Sequence, residues 1–168
     1  MLPFAAVCLV VAIFDGDTLA ARCPTQTAAQ PYSQVHVRIG PIDAPEHGQA
    51  YGTRAKQALA RLAYRKDVRL DCYKQDRYQR QVCNIWVAPP DSPGGAKTLD
   101  VGLALVTQGM AWWYRHYAGE QSAQARAQYR FAEREAKAKR AGLWADPRPV
   151  PPWAWRRAHP RHHGPPRH

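Results

Sequence analysis

Acidic residues are scarce at the start of this 168-residue chain: the first 60 positions hold only Asp15, Asp17, Asp43 and Glu46. They fall as two pairs, each in a turn beside a strand end. Hard divalent cations take oxygen ligands, so a carboxylate from each of two adjacent turns is a candidate Ca²⁺ or Mg²⁺ site. Taken alone, Asp15-Gly16-Asp17 is equally an ordinary turn. The run Arg38-Ile39-Gly40-Pro41-Ile42-Asp43-Ala44-Pro45-Glu46 adds a guanidinium and two carboxylates within nine residues, and Asp76-Arg77-Tyr78-Gln79-Arg80 sets another arginine beside a turn. Phosphodiester hydrolysis calls for this assortment. Arginine forks bind non-bridging phosphate oxygens and the charge that develops on them. A metal ion polarises the phosphoryl group, and a carboxylate positions or deprotonates the attacking water.

The charge balance points the same way. Lys and Arg number 24 against 13 Asp and Glu, a formal charge of +11, which favours a polyanionic partner such as nucleic acid or an anionic surface. Apolar residues make up 45% of the chain, enough to bury a core. No run reaches the ~18 apolar residues of a bilayer crossing.

These residues need a frame. Residues 8–14 are apolar and β-branched, Asp15-Gly16-Asp17-Thr18 breaks the run, and residues 19–23 resume it, which predicts a hairpin. A polar loop over 24–34 follows. Val35, Val37 and Ile39 alternate with His36 and Arg38 in a third strand that Pro41 and Pro45 end. A helix is predicted over 51–64, with Ala55, Leu59, Leu62 and Ala63 on one stripe. Strands over 67–72 and 82–87 flank a charged turn. Five strands interrupted by one helix match the OB-type barrel. Helices over 100–108, stopped by Gly109, and 120–141, stopped by Gly142, complete an α+β fold: a five-stranded OB-type β-barrel with about three packed α-helices. Trp112-Trp113-Tyr114 reads as packing, and there is no internal repeat.

Cys8 and Cys23 lie equally far either side of the first hairpin turn, and Cys72 and Cys83 flank the turn around 75–78. Residues so placed face each other across paired strands, so two disulfides and an oxidising compartment are one reading and four buried thiols the other. Residues 1–7 read as the remnant of an export signal, without the positive n-region and cleavage site of a complete one. Residues 8–145 form the domain, and 146–168 are a Pro/Arg/His-rich extension. Trp153 and Trp155, after Pro151-Pro152, are expected to pack that extension back, and 157–168 to form a mobile basic tail.

The segment Val-Arg-Ile-Gly-Pro-Ile-Asp-Ala-Pro-Glu at 37–46, following Asp-Gly-Asp-Thr at 15–18, resembles the thermonuclease (staphylococcal nuclease-like) family. Further agreement follows in chain order: Gln49-Ala-Tyr-Gly52, Ala55-Lys56, Asp76-Arg-Tyr-x-Arg80, Leu105-Val-x-Gln-Gly109, and Ala132-Glu133 through Gly142-Leu-Trp144. The resemblance implies a Ca²⁺-dependent nuclease on an OB barrel, cutting DNA and RNA with little sequence preference. Carried over by position, Asp17 and Asp43 match the metal-binding carboxylates and the Ala44 backbone carbonyl a further ligand. Asp15 stands behind them, orienting the metal site or its waters. Glu46 matches the proposed general base, and Arg38 and Arg80 the phosphate-binding arginines. Tyr78 and Tyr117 match positions near the bound nucleotide, and Arg115 stands where the best-known member has an aromatic residue.

One departure bears on the site: Gln79 stands where the family usually has Gly, and a positive φ there costs a non-glycine residue on the order of 1 kcal/mol and could displace Arg80. The alternative to an enzyme is a catalytically inactive OB-fold module that binds nucleic acid or protein. Such modules typically lack the carboxylates and arginines that all stand here. His36 and His47 read as solvated, and His159, His162, His163 and His168 as part of a nonspecific cationic tail. A periplasmic or secreted monomer is expected.

Overall fold

The apolar run broken by Asp15-Gly16-Asp17 folds back on itself: β1 (Phe4–Asp15) and β2 (Thr18–Pro24) pair antiparallel, with Asp15 opposite Thr18. The computed structural model describes residues 4–160. After the hairpin come β3 (Tyr32–Ile39), the two-residue β4 (Ile42–Asp43) and helix α1 (Gly52–Ala63). The antiparallel pair β5 (Asp67–Gln75) and β6 (Gln81–Val87) follows, then the short β7 (Leu99–Asp100) and α2 (Val101–Thr107). The order ends with β8 (Trp112–Trp113), α3 (Ala123–Ala138) and α4 (Pro152–Ala158), with 3₁₀ turns at Arg115–Glu120 and Gly142–Ala145.

Parallel pairing of β3 with β6, Arg38 opposite Val82, closes the sheet into a barrel of β1, β2, β3, β6 and β5. The expected α+β OB-type fold is the one found. Alternation decides what fills it: Leu19, Val37, Leu70 and Ile85 point inward and are fully buried. Leu59 of α1 and Leu105 of α2 join the same core from outside the strands. Two bulge-like register shifts interrupt β1, before Ala12 and before Asp15, on its approach to the acidic turn.

The cysteines form disulfides Cys8–Cys23 and Cys72–Cys83, with Cα atoms 4.5 and 4.0 Å apart. Cys72 stands directly opposite Cys83 in the ladder, brought into register by a one-residue shift between Cys72 and Lys74.

Local chemistry sets the departures from the predicted boundaries. β1 begins at Phe4, and its first residues pair with β5 (Phe4 opposite Cys72), so residues 4–7 of the segment read as an export remnant are part of the sheet; residues 1–3 lie outside the described residues. The third helix starts at Ala123 because the Ser122 hydroxyl accepts the Ala125 N–H at 3.1 Å, and the residues before it take a 3₁₀ turn instead. A fourth helix, α4, beyond the three expected, forms in the Pro/Arg/His-rich extension: Pro152 takes its first position, where the missing N–H costs nothing. Arg157 and Ala158 end it, and residues 161–168 of the expected tail lie outside the described residues. Among the described residues no helix is long and apolar enough to cross a membrane.

Candidate active site

The two acidic turns touch because Gly16 lacks a side chain. A Cβ there would lie 2.7 Å from the Cβ atoms of both Ala44 and Ala55. With the turns this close, Asp17 Oδ2 accepts the Ala44 N–H at 2.7 Å, while its Oδ1 accepts the Thr18 hydroxyl at 3.0 Å. Asp43 sits on β4, held by pairing with Trp112 of β8, and is 1% exposed. Between the carboxylates lies the buried Arg38 guanidinium, 3.8 Å from Asp17 and 3.6 Å from Asp43. Its Nη1 also donates to the Ile42 carbonyl at 2.7 Å and to the Ile39 carbonyl, so backbone fixes its orientation.

Burial works against every charge here, and the partners decide the outcome. Burial raises the Asp17 pKa, but Arg38 and the Ala44 N–H outweigh it and hold the carboxyl below its usual range. Burial wins at Asp43, whose pKa is raised despite its arginine partners. Asp15 is pushed up to about 7, first by burial and then by the neighbouring Asp17 charge, and its Oδ1 accepts the Asp17 N–H at 3.2 Å. The Arg38 pKa is raised because Asp17 and Asp43 outweigh its own burial.

Glu46 follows in a loop closed on α1. A Cβ on Gly52 would lie 2.1 Å from the Glu46 carbonyl oxygen, so only glycine admits this approach. Gln49 ties the loop in two directions: its Oε1 accepts the Glu46 N–H at 3.0 Å, and its Nε2 donates to the Val150 carbonyl at 2.7 Å. The second bond fastens the C-terminal extension to the loop that carries Glu46.

That extension delivers a residue that sequence reasoning missed. Arg156 of α4 donates from Nη1 to Asp43 Oδ1 at 3.0 Å and from Nη2 to Asp43 Oδ2 at 2.8 Å, a two-pronged pair, and from Nη1 to Glu46 Oε1 at 2.7 Å. These bonds, Asp43 first, raise the guanidinium's pKa. Trp153 secures the helix, its ring 5.4 Å from Trp112 and 5.9 Å from Tyr114. The one available signal was Pro151-Pro152 ahead of Trp-Ala-Trp-Arg, a helix start with anchoring aromatics.

The remaining expected residues divide. Arg80 precedes β6, two residues before Val82, the ladder partner of Arg38. Asp76 fixes the turn before it: Oδ1 accepts the Tyr78 and Arg80 N–H groups at 2.9 and 3.0 Å, and Oδ2 accepts Arg80 Nε at 2.8 Å. Gln79 has φ 63°, the left-handed conformation foreseen from its place in the motif, and Arg80 keeps its anchoring on Asp76 nonetheless. Tyr78 is exposed beside Arg80, 5.3 Å from guanidinium to ring centroid. Tyr117 packs edge-on to Tyr114, 5.1 Å between centroids, and Tyr114 in turn faces Arg38 at 5.8 Å. Arg115 turns elsewhere, donating to the buried Glu133 at 3.2 Å and lying over the Trp113 ring. Glu133 also accepts the Trp113 N–H at 2.8 Å, so it holds β8 and through it Asp43.

An all-oxygen donor set on adjoining turns suits a hard divalent cation. Asp17, Asp43 and the Ala44 carbonyl are the groups that could hold one, and a cationic guanidinium already lies against Asp43 and Glu46. Among the described residues no three His, Cys, Asp or Glu side chains are gathered as a ready ligand cluster.

Fold and site together define a class: an OB-type barrel with a buried acid–arginine centre beside its first hairpin turn. The chain belongs to the staphylococcal nuclease homologue family, which residues 36–146 match. It is 43% identical over 150 residues to a micrococcal nuclease of Shigella flexneri, covering 89% of this chain and 79% of that protein. Protein ParB of Escherichia coli is 41% identical over 148 residues, 88% of this chain and 77% of that one. An uncharacterized endonuclease of Haemophilus influenzae is 39% identical over 150 residues, 89% and 72% of the two chains. This kinship supports an endonuclease.

Proposed function

We propose that the chain is a Ca²⁺-dependent endonuclease that hydrolyses phosphodiester bonds of DNA and RNA with little sequence preference. The observation that supports it most is the meeting of Asp17 and Asp43 on one buried arginine, with the Ala44 N–H on Asp17. Asp17, Asp43 and the Ala44 carbonyl would hold the ion, with Asp15 behind them. A divalent ion bound there supplies charge neutralisation and polarisation of the phosphoryl group. Glu46 holds and deprotonates the attacking water. Arg38 and Arg80 bind the phosphate oxygens, and the 5′ oxygen leaves, giving a 3′-phosphate. Tyr78 and Tyr117 flank the nucleotide, where aromatic faces stack on base or sugar.

The net charge of +11 suits a polyanion drawn in along a basic surface. Two disulfides support a periplasmic or secreted protein, and the proposed enzyme acts as a monomer. The test is incubation of the purified chain with plasmid DNA and with RNA, with Ca²⁺ and with chelator. Cleavage of both substrates that chelator abolishes is expected. Binding without cleavage at any Ca²⁺ concentration would overturn the enzyme and leave a nucleic-acid-binding module. Cleavage that persists in chelator would overturn the metal dependence.

A further inference from the structure

We propose that Arg156 is an intramolecular competitor of the divalent cation, making α4 a latch across the site. The proposal rests on the reading of Asp43 as an ion ligand. Both Asp43 oxygens accept hydrogen bonds from the Arg156 fork, and the same guanidinium takes Glu46 Oε1. A cation approaching Asp43 therefore competes with a charge-assisted hydrogen bond on each oxygen, and the guanidinium's own charge opposes its approach. Withdrawal of Arg156 frees the ion ligand and relieves Glu46 of its cationic partner in one movement.

The construction suits release. Arg156's side chain is 41% exposed, whereas Asp43's is 1% exposed, so the arginine can swing outward on its long stem while the carboxylate stays. Helix α4 has seven residues, too few to persist alone, so tertiary contacts hold it in place. Besides the Arg156 bonds and the buried Pro152, those contacts include the Gln49–Val150 hydrogen bond, Trp153 against Trp112 and Tyr114, and Trp155 beside the loop of residues 45–51. A half-open pocket of about 70 Å³, lined by Pro45, Gln49, Tyr51, Trp112 and Trp155, lies along the seam between loop and extension.

Ca²⁺ titration by isothermal calorimetry, on the full chain with its disulfides intact, tests the latch. Arg156→Gln should bind Ca²⁺ at least tenfold more tightly than the unaltered chain. Arg156→Lys, which keeps the charge and loses the fork, should fall between them. It carries the comparison if the glutamine variant fails to fold. Adding Asp43→Asn to Arg156→Gln should abolish the gain. Equal affinities within twofold would overturn the latch and leave the ion reading standing. A gain that survives Asp43→Asn would overturn it by placing the ion elsewhere. Absence of Ca²⁺ binding in every variant would overturn both.

Discussion

Gly16→Ala should loosen the contact on which the acidic pair depends. The new methyl would lie 2.7 Å from the Cβ atoms of Ala44 and Ala55, and 3.2 Å from the Ala55 carbonyl carbon. Carbon atoms rest at roughly 3.5–4.0 Å, so the overlap is close to 1 Å on two fronts. All three atoms sit on or beside backbone, so relief requires a turn or α1 to move. Overpacking of this kind costs about 1–3 kcal/mol, offset by up to about 1 kcal/mol because alanine restricts the unfolded chain. The net loss is about 1–2 kcal/mol, or roughly 2–8 °C in Tm for a domain of this size. Separation of the turns also stretches the 2.7 Å bond from the Ala44 N–H to Asp17, so cleavage should fall further than stability. Urea denaturation with intact disulfides measures the first effect, and nuclease rates well below Tm the second. Ala44→Gly removes one of the two methyl contacts, so the double variant should recover part of both losses. A Gly16→Ala protein with unchanged stability and rate would refute the claim that this contact sets the spacing of Asp17 and Asp43.

Glu46→Gln should lower turnover by about 10²–10⁴-fold with nucleic-acid binding nearly intact, read as single-turnover rates beside equilibrium binding; unchanged turnover removes Glu46 from the chemistry. Gln79→Gly should raise stability by up to about 1 kcal/mol, since the left-handed strain at φ 63° exceeds the extra entropy glycine loses on folding. A drop in denaturation midpoint counts against that balance. Asp76→Asn should cost about 1–2 kcal/mol at pH 7, because the carboxylate accepts the Tyr78 and Arg80 N–H groups and the Arg80 guanidinium. Although burial pushes the Asp76 pKa up, the Arg80 and Tyr78 bonds hold it below the usual range. Its contribution is therefore full above the unfolded-state pKa of about 3.9 and is lost as pH falls through the lower folded value. The stability gap between the two proteins should be constant from pH 7 to 5 and shrink below about pH 4. A gap that persists at the lowest pH would count against the ionised carboxylate as its source.

The barrel was legible because its signals are local. Alternation of Val35, Val37 and Ile39 with polar residues marks a strand whatever it pairs with, and the near-equal spacing of Cys8 and Cys23 about the first turn brings them close, although two register shifts in β1 set their final register. The acid–arginine centre was legible for another reason: Arg38 and Asp43 are five residues apart, and the chemistry of the two acidic turns draws attention to both. What joins those turns was hidden. Gly16 reads as a turn residue, and only packing shows that its missing methyl matters more. Arg156 was hidden more deeply, 113 residues from Asp43 in a helix too short to display a period, amid prolines and arginines that look like tail.

Two guanidiniums, Arg38 and Arg156, meet on Asp43, a third, Arg80, is held in the turn before β6, and their tethers assign them different freedoms. Arg38 is 6% exposed and bound to two backbone carbonyls, so it acts as a fixed charge whose field is present before any ligand arrives. Arg80 is held through Nε to Asp76, which orients the fork while directing its hydrogen bonding with that carboxylate away from the Nη pair. Arg156 spends both Nη groups on carboxylates and reaches them from a short helix pinned by aromatic contacts. A phosphate gains most from charges whose orientation is already paid for, which favours Arg38 and Arg80. Arg156 is held most by the carboxylates it touches, so any cation or phosphate that changes the balance at Asp43 and Glu46 acts first on Arg156, and through it on the helix that closes the site.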